Sequence, residues 1–149
     1  MGIEIRAAVP ADIDGIFTVR TSVNENHLTR EALREMGITE EAVREMIAAE
    51  LCTWVALEGA NIIGFSMTLN DEGSLFAAFV LPACEGQGIG KALVEVAEQH
   101  LFLTHECIWL ETAKNSRAAG FYRRLGWQQE ADLSEGDARF IKQRPGNVN

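Results

Sequence analysis

Cysteine, histidine and tyrosine are scarce in this chain, and each scarcity narrows what the protein can do. Its 149 residues include three cysteines, three histidines and one tyrosine. Cys52, Cys84 and Cys107 form no CxxC pair, and their odd number argues against a disulfide framework. His27, His100 and His105 show no HExxH or other ligand spacing, so no metal site is expected. His100 and His105 fall near the expected C-terminal end of a helix, where a cation suits the dipole. No segment approaches the roughly 20 apolar residues of a membrane span. The opening MGIEIRAAVPADI also lacks the basic start and apolar run of a signal peptide, which makes a cytoplasmic protein the default. Basic residues are few: 13 Lys and Arg against 22 Asp and Glu leave a net charge of −9, which speaks against nucleic acid as a partner.

What is present is an ordinary globular composition, 47% hydrophobic and 23% charged, on a chain long enough to bury one core. Ile3 to Ala8 alternates as a first strand and ends before Pro10. Asp12 is placed to cap a helix carrying Ile13, Ile16, Phe17 and Val23. After the polar run Thr21 to Thr29, a short helix to Met36 stops at Gly37, and Thr39 caps another with Val43, Met46 and Ile47 on one face. Leu51–Leu57 and Asn61–Leu69 flank the turn Glu58-Gly59-Ala60 as a hairpin. Asn70 to Gly73 turns into Ser74–Leu81, whose nearly continuous apolar run suits a central strand buried on both faces, ended by Pro82. Ile89, Leu93, Val96, Ala97 and Leu101 then keep helical spacing. A strand at Cys107–Thr112, a helix at Ser116–Leu125 closed by Gly126, and strands at Gln128–Leu133 and Ala138–Gln143 complete one domain, residues 1–144, with 145–149 a frayed tail. The expected class is α+β (mixed α/β): a central, mostly antiparallel sheet of about six to seven strands flanked by helices.

The segment from Cys84 to Glu98, CEGQGIGKALVEVAE, carries the chemistry. Gly86, Gly88 and Gly90 let a ligand approach the backbone, and the helix that follows offers unpaired first-turn N–H groups and the positive end of its dipole. A phosphate or pyrophosphate is the natural guest. Two familiar phosphate loops fail on spacing. A Walker loop needs glycine where Glu85 stands and Ser or Thr where Ala92 stands, and a dinucleotide fingerprint needs glycine at Lys91. Further along, Lys114, Arg117, Arg123 and Arg124 fall within eleven residues with no acid among them. On an acidic protein such a patch suggests a small anionic ligand, although a solvated helix face accounts for at least two of the four.

The strand FAAFVLP, the loop EGQGIGKAL and the later run WLETAKNSRAAGFYRRLGW together resemble the acetyl-CoA-binding motifs of the GNAT superfamily of N-acetyltransferases, over roughly residues 53 to 130. The resemblance implies that the backbone around Phe79, Val80 and Leu81 hydrogen-bonds the pantetheine arm like an added strand. It implies that the loop amides of Gly86, Gln87, Gly88, Ile89, Gly90 and Lys91 hold the pyrophosphate. Asn115 is then expected to reach the pantetheine or the adenine-side arm, Tyr122 to lie near the thioester sulfur, and Arg123 and Arg124 to meet the phosphates of the ADP moiety. One position departs from the pattern: Glu85 stands where the family carries Arg or Gln, and a carboxylate beside a pyrophosphate is unfavourable unless it turns away.

The activity so implied is transfer of an acetyl group from acetyl-CoA to a primary amine of a small molecule or peptide, directly, in a ternary complex. The catalytic candidate is Tyr122: its ordinary pKa of about 10 exceeds the roughly 8.5 of a thiol, so donation to a departing thiolate costs little. A strand amide near Phe79 or Val80 is the candidate oxyanion donor. The general base stays open between Glu72, Glu111 and a water chain. The acceptor is expected against the N-terminal third, where Asn24, Glu25, Asn26 and His27 form a polar patch, and the acidity of the chain favours a cationic amine. No nucleic acid, membrane or metal is expected as partner, and the reading allows a homodimer. Two other functions remain in view: a CoA-binding sensor or regulatory module without turnover, and a nucleotide-binding protein resting on the glycines alone.

Overall fold

In the computed structural model, which describes residues 2–25 and 27–146, the chain runs in order through β1 (Ile3–Ala7), α1 (Ile13–Arg20), α2 (Arg30–Glu35), α3 (Glu40–Ala49), β2 (Thr53–Glu58), β3 (Asn61–Leu69), β4 (Ser74–Val80), α4 (Ile89–Leu101), β5 (Cys107–Ala113), α5 (Arg117–Arg124), β6 (Gln128–Asp132) and β7 (Asp137–Gln143). All seven strands join one sheet in the order β1-β2-β3-β4-β5-β7-β6. Every pairing is antiparallel except β4 with β5. The mixed class and strand number expected from the pattern are therefore found. Asn26 and residues 147–149, part of the expected polar patch and tail, lie outside the described residues.

Alternation along the strands sorts side chains to two helical layers. On β2, Trp54 and Ala56 face α4, joining Leu93, Val94 and Ala97, while Val55 and Leu57 face α1 and join Ile16 and Val19. Helix α5 packs on the α4 side through Ala119 and Tyr122, and Leu33 of α2 and Val43 of α3 close the opposite layer with Phe17 and Met67. Each large apolar side chain so buried contributes about 1.5–3 kcal/mol. Local signals set the helix starts. Thr29 accepts from Ala32 N–H at 3.0 Å and Thr39 from Ala42 N–H at 3.1 Å, caps worth ~1 kcal/mol each. Among the described residues, no helix is long and apolar enough to cross a membrane.

Three expectations are corrected. Asp12 does not cap α1, since it sits with helical dihedrals in a preceding 3-10 turn. Its buried carboxylate instead accepts from Val9 N–H at 2.8 Å and from the Arg6 guanidinium at 2.7 and 3.1 Å, tying β1 to α1; the Arg6 hydrogen bond, ahead of the Val9 one, holds its pKa below the usual carboxylate value. Val23 is buried but lies beyond the end of α1, in the loop that follows it. Finally, β4 is not buried on both faces: only Ser74 and Leu75 are, while Phe76 is 47% exposed and the residues after it are half-buried. The reason is topological. Strand β4 pairs with β5 only at Ser74 with Trp109, and beyond that point the two strands part.

A buried charge that the apolar stripe does not reveal fastens the second helical layer. Glu98 on α4 is 7% exposed and accepts from Trp127 Nε1 and Lys142 Nζ, both at 2.9 Å; Lys142 also donates to the carbonyl of Leu125 at 2.9 Å, at the end of α5. One carboxylate thus joins α4, the exit of α5 and β7.

Candidate active site

The parting of β4 and β5 leaves one edge of β4 without a neighbour. Leu81 N–H donates to Ile63 O at 2.9 Å, on the β3 side, and the pairing of β3 with β4 continues through Phe79. Peptide groups alternate in direction along a strand, so those of Val80 and Ala78 point into the split. Of the three residues expected to meet a pantetheine arm, Val80 therefore offers its backbone to the split, whereas the Leu81 N–H is engaged on β3. The Phe79 side chain turns to the α1 layer, packing on Phe65 with Arg20 over its ring at 4.3 Å.

At the C-terminal end of β4 the glycine loop supplies donors. Among the described residues, no backbone N–H from Gly86 through Lys91 donates to another backbone group; the first helical bond of this segment is Ala92 N–H to Gly88 O at 3.1 Å. Such a run of unengaged amides at a helix start is an anion cradle. Gly86 and Gly88 both have φ of +82°, which side chains with a Cβ rarely adopt, and a Cβ on either would meet open space. Gly90 differs from the expectation. It lies in the first turn of α4 with ordinary backbone angles, and a Cβ there would rest against Phe121 at 3.5 Å and Val80 at 3.7 Å. Its small size serves packing at the groove floor rather than backbone approach. Gly88→Val is accordingly expected to act twice, adding about 1–3 kcal/mol of backbone strain and filling the cradle. Calorimetric titration with CoA should show binding lost in a protein whose circular dichroism stays native; undiminished affinity would contradict the cradle.

Split and cradle belong to one groove of about 580 Å³. Ala78, Phe79 and Val80 form one wall, the loop from Cys84 to Lys91 (Gln87 apart) the end, and Arg117, Ala118, Gly120, Phe121 and Arg124 of α5 the other wall; Val23, Asn24 and Glu25 reach over from the loop after α1. The expected basic patch divides. Arg117 and Arg124 line the groove with Lys91. Lys114 instead pairs with Asp132 at 3.4 Å, and Arg123 donates to Lys114 O and Gln129 Oε1 at 3.3 and 3.0 Å with its guanidinium over Phe140. Arg123 is thus a fastener of the β6–β7 end, and Arg124 is the member of that pair that faces the groove.

Asn115 sits exposed in the turn before α5, its side chain unbonded among the described residues. Tyr122 stands behind Phe121, its ring 5.2 Å from that of Phe121 and 5.9 Å from that of Trp127, and only 7% of the residue is exposed. Its hydroxyl makes no hydrogen bond among the described residues, yet it is not sealed in: the one buried side-chain N or O atom without a partner there is Arg139 Nε. Burial, reinforced by the charge of Glu98, pushes the phenol well above its ordinary pKa. The group therefore holds its proton throughout the neutral range, and full proton transfer from it costs more than an ordinary tyrosine would require. Of the candidate bases, Glu72 lies at the closed end of the split, where its carbonyl accepts from Trp109 Nε1 at 2.9 Å. Glu111 lies past the branching point on β5, flanked by the inward-facing Leu110, and is held by Arg139 at 2.8 Å. Sequence reasoning did not find Ala118 or Phe121 as groove residues, and although it set Asn24 and Glu25 in a polar patch for the acceptor, it did not foresee the contact of Glu25 with α5. Glu25 meets α5 across 92 positions of chain, a separation that no local signal marks.

The model of the acetyltransferase (GNAT) domain matches residues 49–129 of this chain. The peptidyl-lysine N-acetyltransferase YiaC of Escherichia coli is 36% identical over 89 residues, covering 54% of this chain and 57% of that protein. The [ribosomal protein bS18]-alanine N-acetyltransferase of Haemophilus influenzae is 30% identical over 80 residues, covering 49% and 52%. The chain thus spans about half the length of the curated relatives it matches. In fold it is similar to the PaiA N-acetyltransferase of Thermoplasma acidophilum, solved in complex with coenzyme A, with a TM-score of 0.80 and 20% identity over 97% of this chain and 100% of that one. A glycine cradle, a split beside β4 and a matching model over more than half its length agree: the chain belongs to the GNAT acetyltransferase family.

Proposed function

We propose that this protein is an acetyl-CoA-dependent N-acetyltransferase acting on a primary amine of a small molecule or peptide. The observation that carries the reading is the run of unengaged amides from Gly86 to Lys91, set at the end of a β4 edge that β5 has left open. The donor's pyrophosphate belongs on those amides and its pantetheine arm along Val80 and Ala78, with Asn115 in the turn that leads into the α5 wall. Acetyl-CoA supplies an activated acyl group with a thiolate leaving group.

The remaining chemistry falls to the chain. An N–H of the β4 edge, Val80 by direction, is placed to stabilise a developing oxyanion. Tyr122 donates a hydrogen bond to the departing sulfur and keeps its proton, the thiolate leaving as the anion; its raised pKa keeps it a donor at every pH of use. An ammonium acceptor, ordinarily with a pKa of about 10.4, must lose a proton before attack. Glu111 is the carboxylate on the α1 side of the open split, directly or through water, and Arg139 fixes its position. The acceptor enters from that side, beside Val23 to Glu25 and the exposed Phe76. Its class follows the net charge of −9, which draws cationic amines.

An assay of thiol release from acetyl-CoA with polyamines, amino acids, aminoglycosides and lysine- or alanine-terminated peptides tests the reading. Release dependent on an acceptor is the expected result. Tight CoA binding with no release for any acceptor would instead favour the sensor.

A further inference from the structure

The glycine loop opens with an acid, and the fold supplies its counter-charge from the opposite wall. Glu85 and Arg117 face each other over the groove, Arg117 N–H of the guanidinium to Glu85 Oε1 at 3.3 Å. Arg117 is also the first residue of α5, and its backbone N–H donates to Glu25 Oε2 at 3.1 Å, with Ala118 N–H donating to Glu25 Oε1 at 3.4 Å. One residue of the α5 wall therefore touches two further boundaries of the groove, the loop after α1 and the mouth of the cradle. The pair is too exposed to matter for stability. The Arg117 side chain is 79% accessible, and ion pairs of that kind contribute about 0–1 kcal/mol.

We propose that Arg117 is a phosphate-binding residue for the donor, held over the cradle by Glu85 as one half of an ionic clasp that the donor's pyrophosphate enters. This rests on the donor reading above. Two physical points support it. A bare carboxylate at the mouth of an anion cradle opposes the ligand, and a guanidinium bound to it cancels that opposition. A guanidinium also carries five N–H donors in a planar fork, so one bond to Glu85 leaves donors for phosphate oxygens, which a lysine at this place would offer only as a point charge. Glu25 fixes the backbone of the same residue, so the guanidinium hangs from an anchored helix start. The other charges on the groove are accounted for: Lys91 is in the first turn of α4 and Arg124 two turns along α5, with Glu25 and Glu85 the acids.

The test compares CoA with pantetheine, which has the arm without the pyrophosphate, by calorimetry on wild type and Arg117→Gln. Glutamine keeps the helix and the backbone N–H that meets Glu25. The substitution is expected to weaken CoA about five- to tenfold at low salt, to leave pantetheine unchanged, and to flatten the salt dependence of CoA binding. Adding Glu85→Arg to that variant, which puts a cation on the other lip, is expected to restore CoA binding. Arg117→Gln that binds CoA like wild type, or that loses CoA and pantetheine equally, overturns the clasp while leaving the donor reading intact. Wild-type protein that binds no CoA overturns the donor reading, and the clasp with it.

Discussion

Tyr122→Phe is expected to lower kcat by about tenfold or more while the affinity for CoA stays as it is. The substitution removes one oxygen and keeps the ring that packs on Phe121 and Trp127, so the core around α5 is preserved. Because the hydroxyl has no hydrogen-bond partner among the described residues, its loss leaves none of them unsatisfied. A stability change is therefore not expected, and an effect on turnover reports the chemistry alone. Single-turnover measurement with saturating acetyl-CoA separates this from slow product release. A sharper readout is the basic limb of the pH profile. With the phenol pushed well above its ordinary value, activity should not fall near pH 10 through loss of its proton. Unchanged single-turnover rates in the phenylalanine variant would remove Tyr122 from the mechanism.

The largest expected effect on stability lies away from the groove. Lys142→Met strands the Glu98 carboxylate in the core with only the Trp127 indole N–H for company, and frees the Leu125 carbonyl as well. Breaking a buried pair by removing one partner costs about 3–5 kcal/mol. For a domain of this size that corresponds to a fall in Tm of roughly 10 °C. Removing both charges, Glu98→Leu with Lys142→Met, should recover most of the loss, because the desolvation of a lone carboxylate, not the pair's attraction, dominates the single variant. Urea unfolding at neutral pH measures both. A single variant as stable as the wild type would mean that Glu98 finds water in solution. The pair also sets the environment of Tyr122, since Glu98 is the charge that adds to its raised pKa; the double variant should leave the phenol lower than it is in the native protein.

Most secondary elements were legible because their signals are local. Thr29 and Thr39 act as caps where the spacing of threonine and apolar residues placed them. The hairpin turn at Gly59 and the stop at Gly37, with φ of +63° and +84°, follow from the freedom only glycine has there. Asp12 misled for a corresponding reason. Its position before an apolar run is the signature of a cap, but Arg6, on the neighbouring strand, competes for the carboxylate and wins with two charge-assisted bonds. Glu98 misled by omission, since its partner is 44 residues away and a carboxylate within a helical stripe looks solvated until that partner is known.

By itself the sequence determined the glycine-rich loop before α4, the order of strands and helices along the chain, and the motifs that carry the family resemblance. These depend on backbone freedom and on periodicity, which act over a few residues. Only the tertiary structure decided that β4 and β5 pair at a single position and then part, which turns an apolar strand into the open edge of a groove. It also decided which cations face that groove and which merely fasten the sheet, and it brought Glu25, Glu85 and Arg117 together. Contacts between residues so far apart in the chain exist only once the two helical layers have closed on the sheet, because it is that packing, and no local preference, that fixes the distance between them.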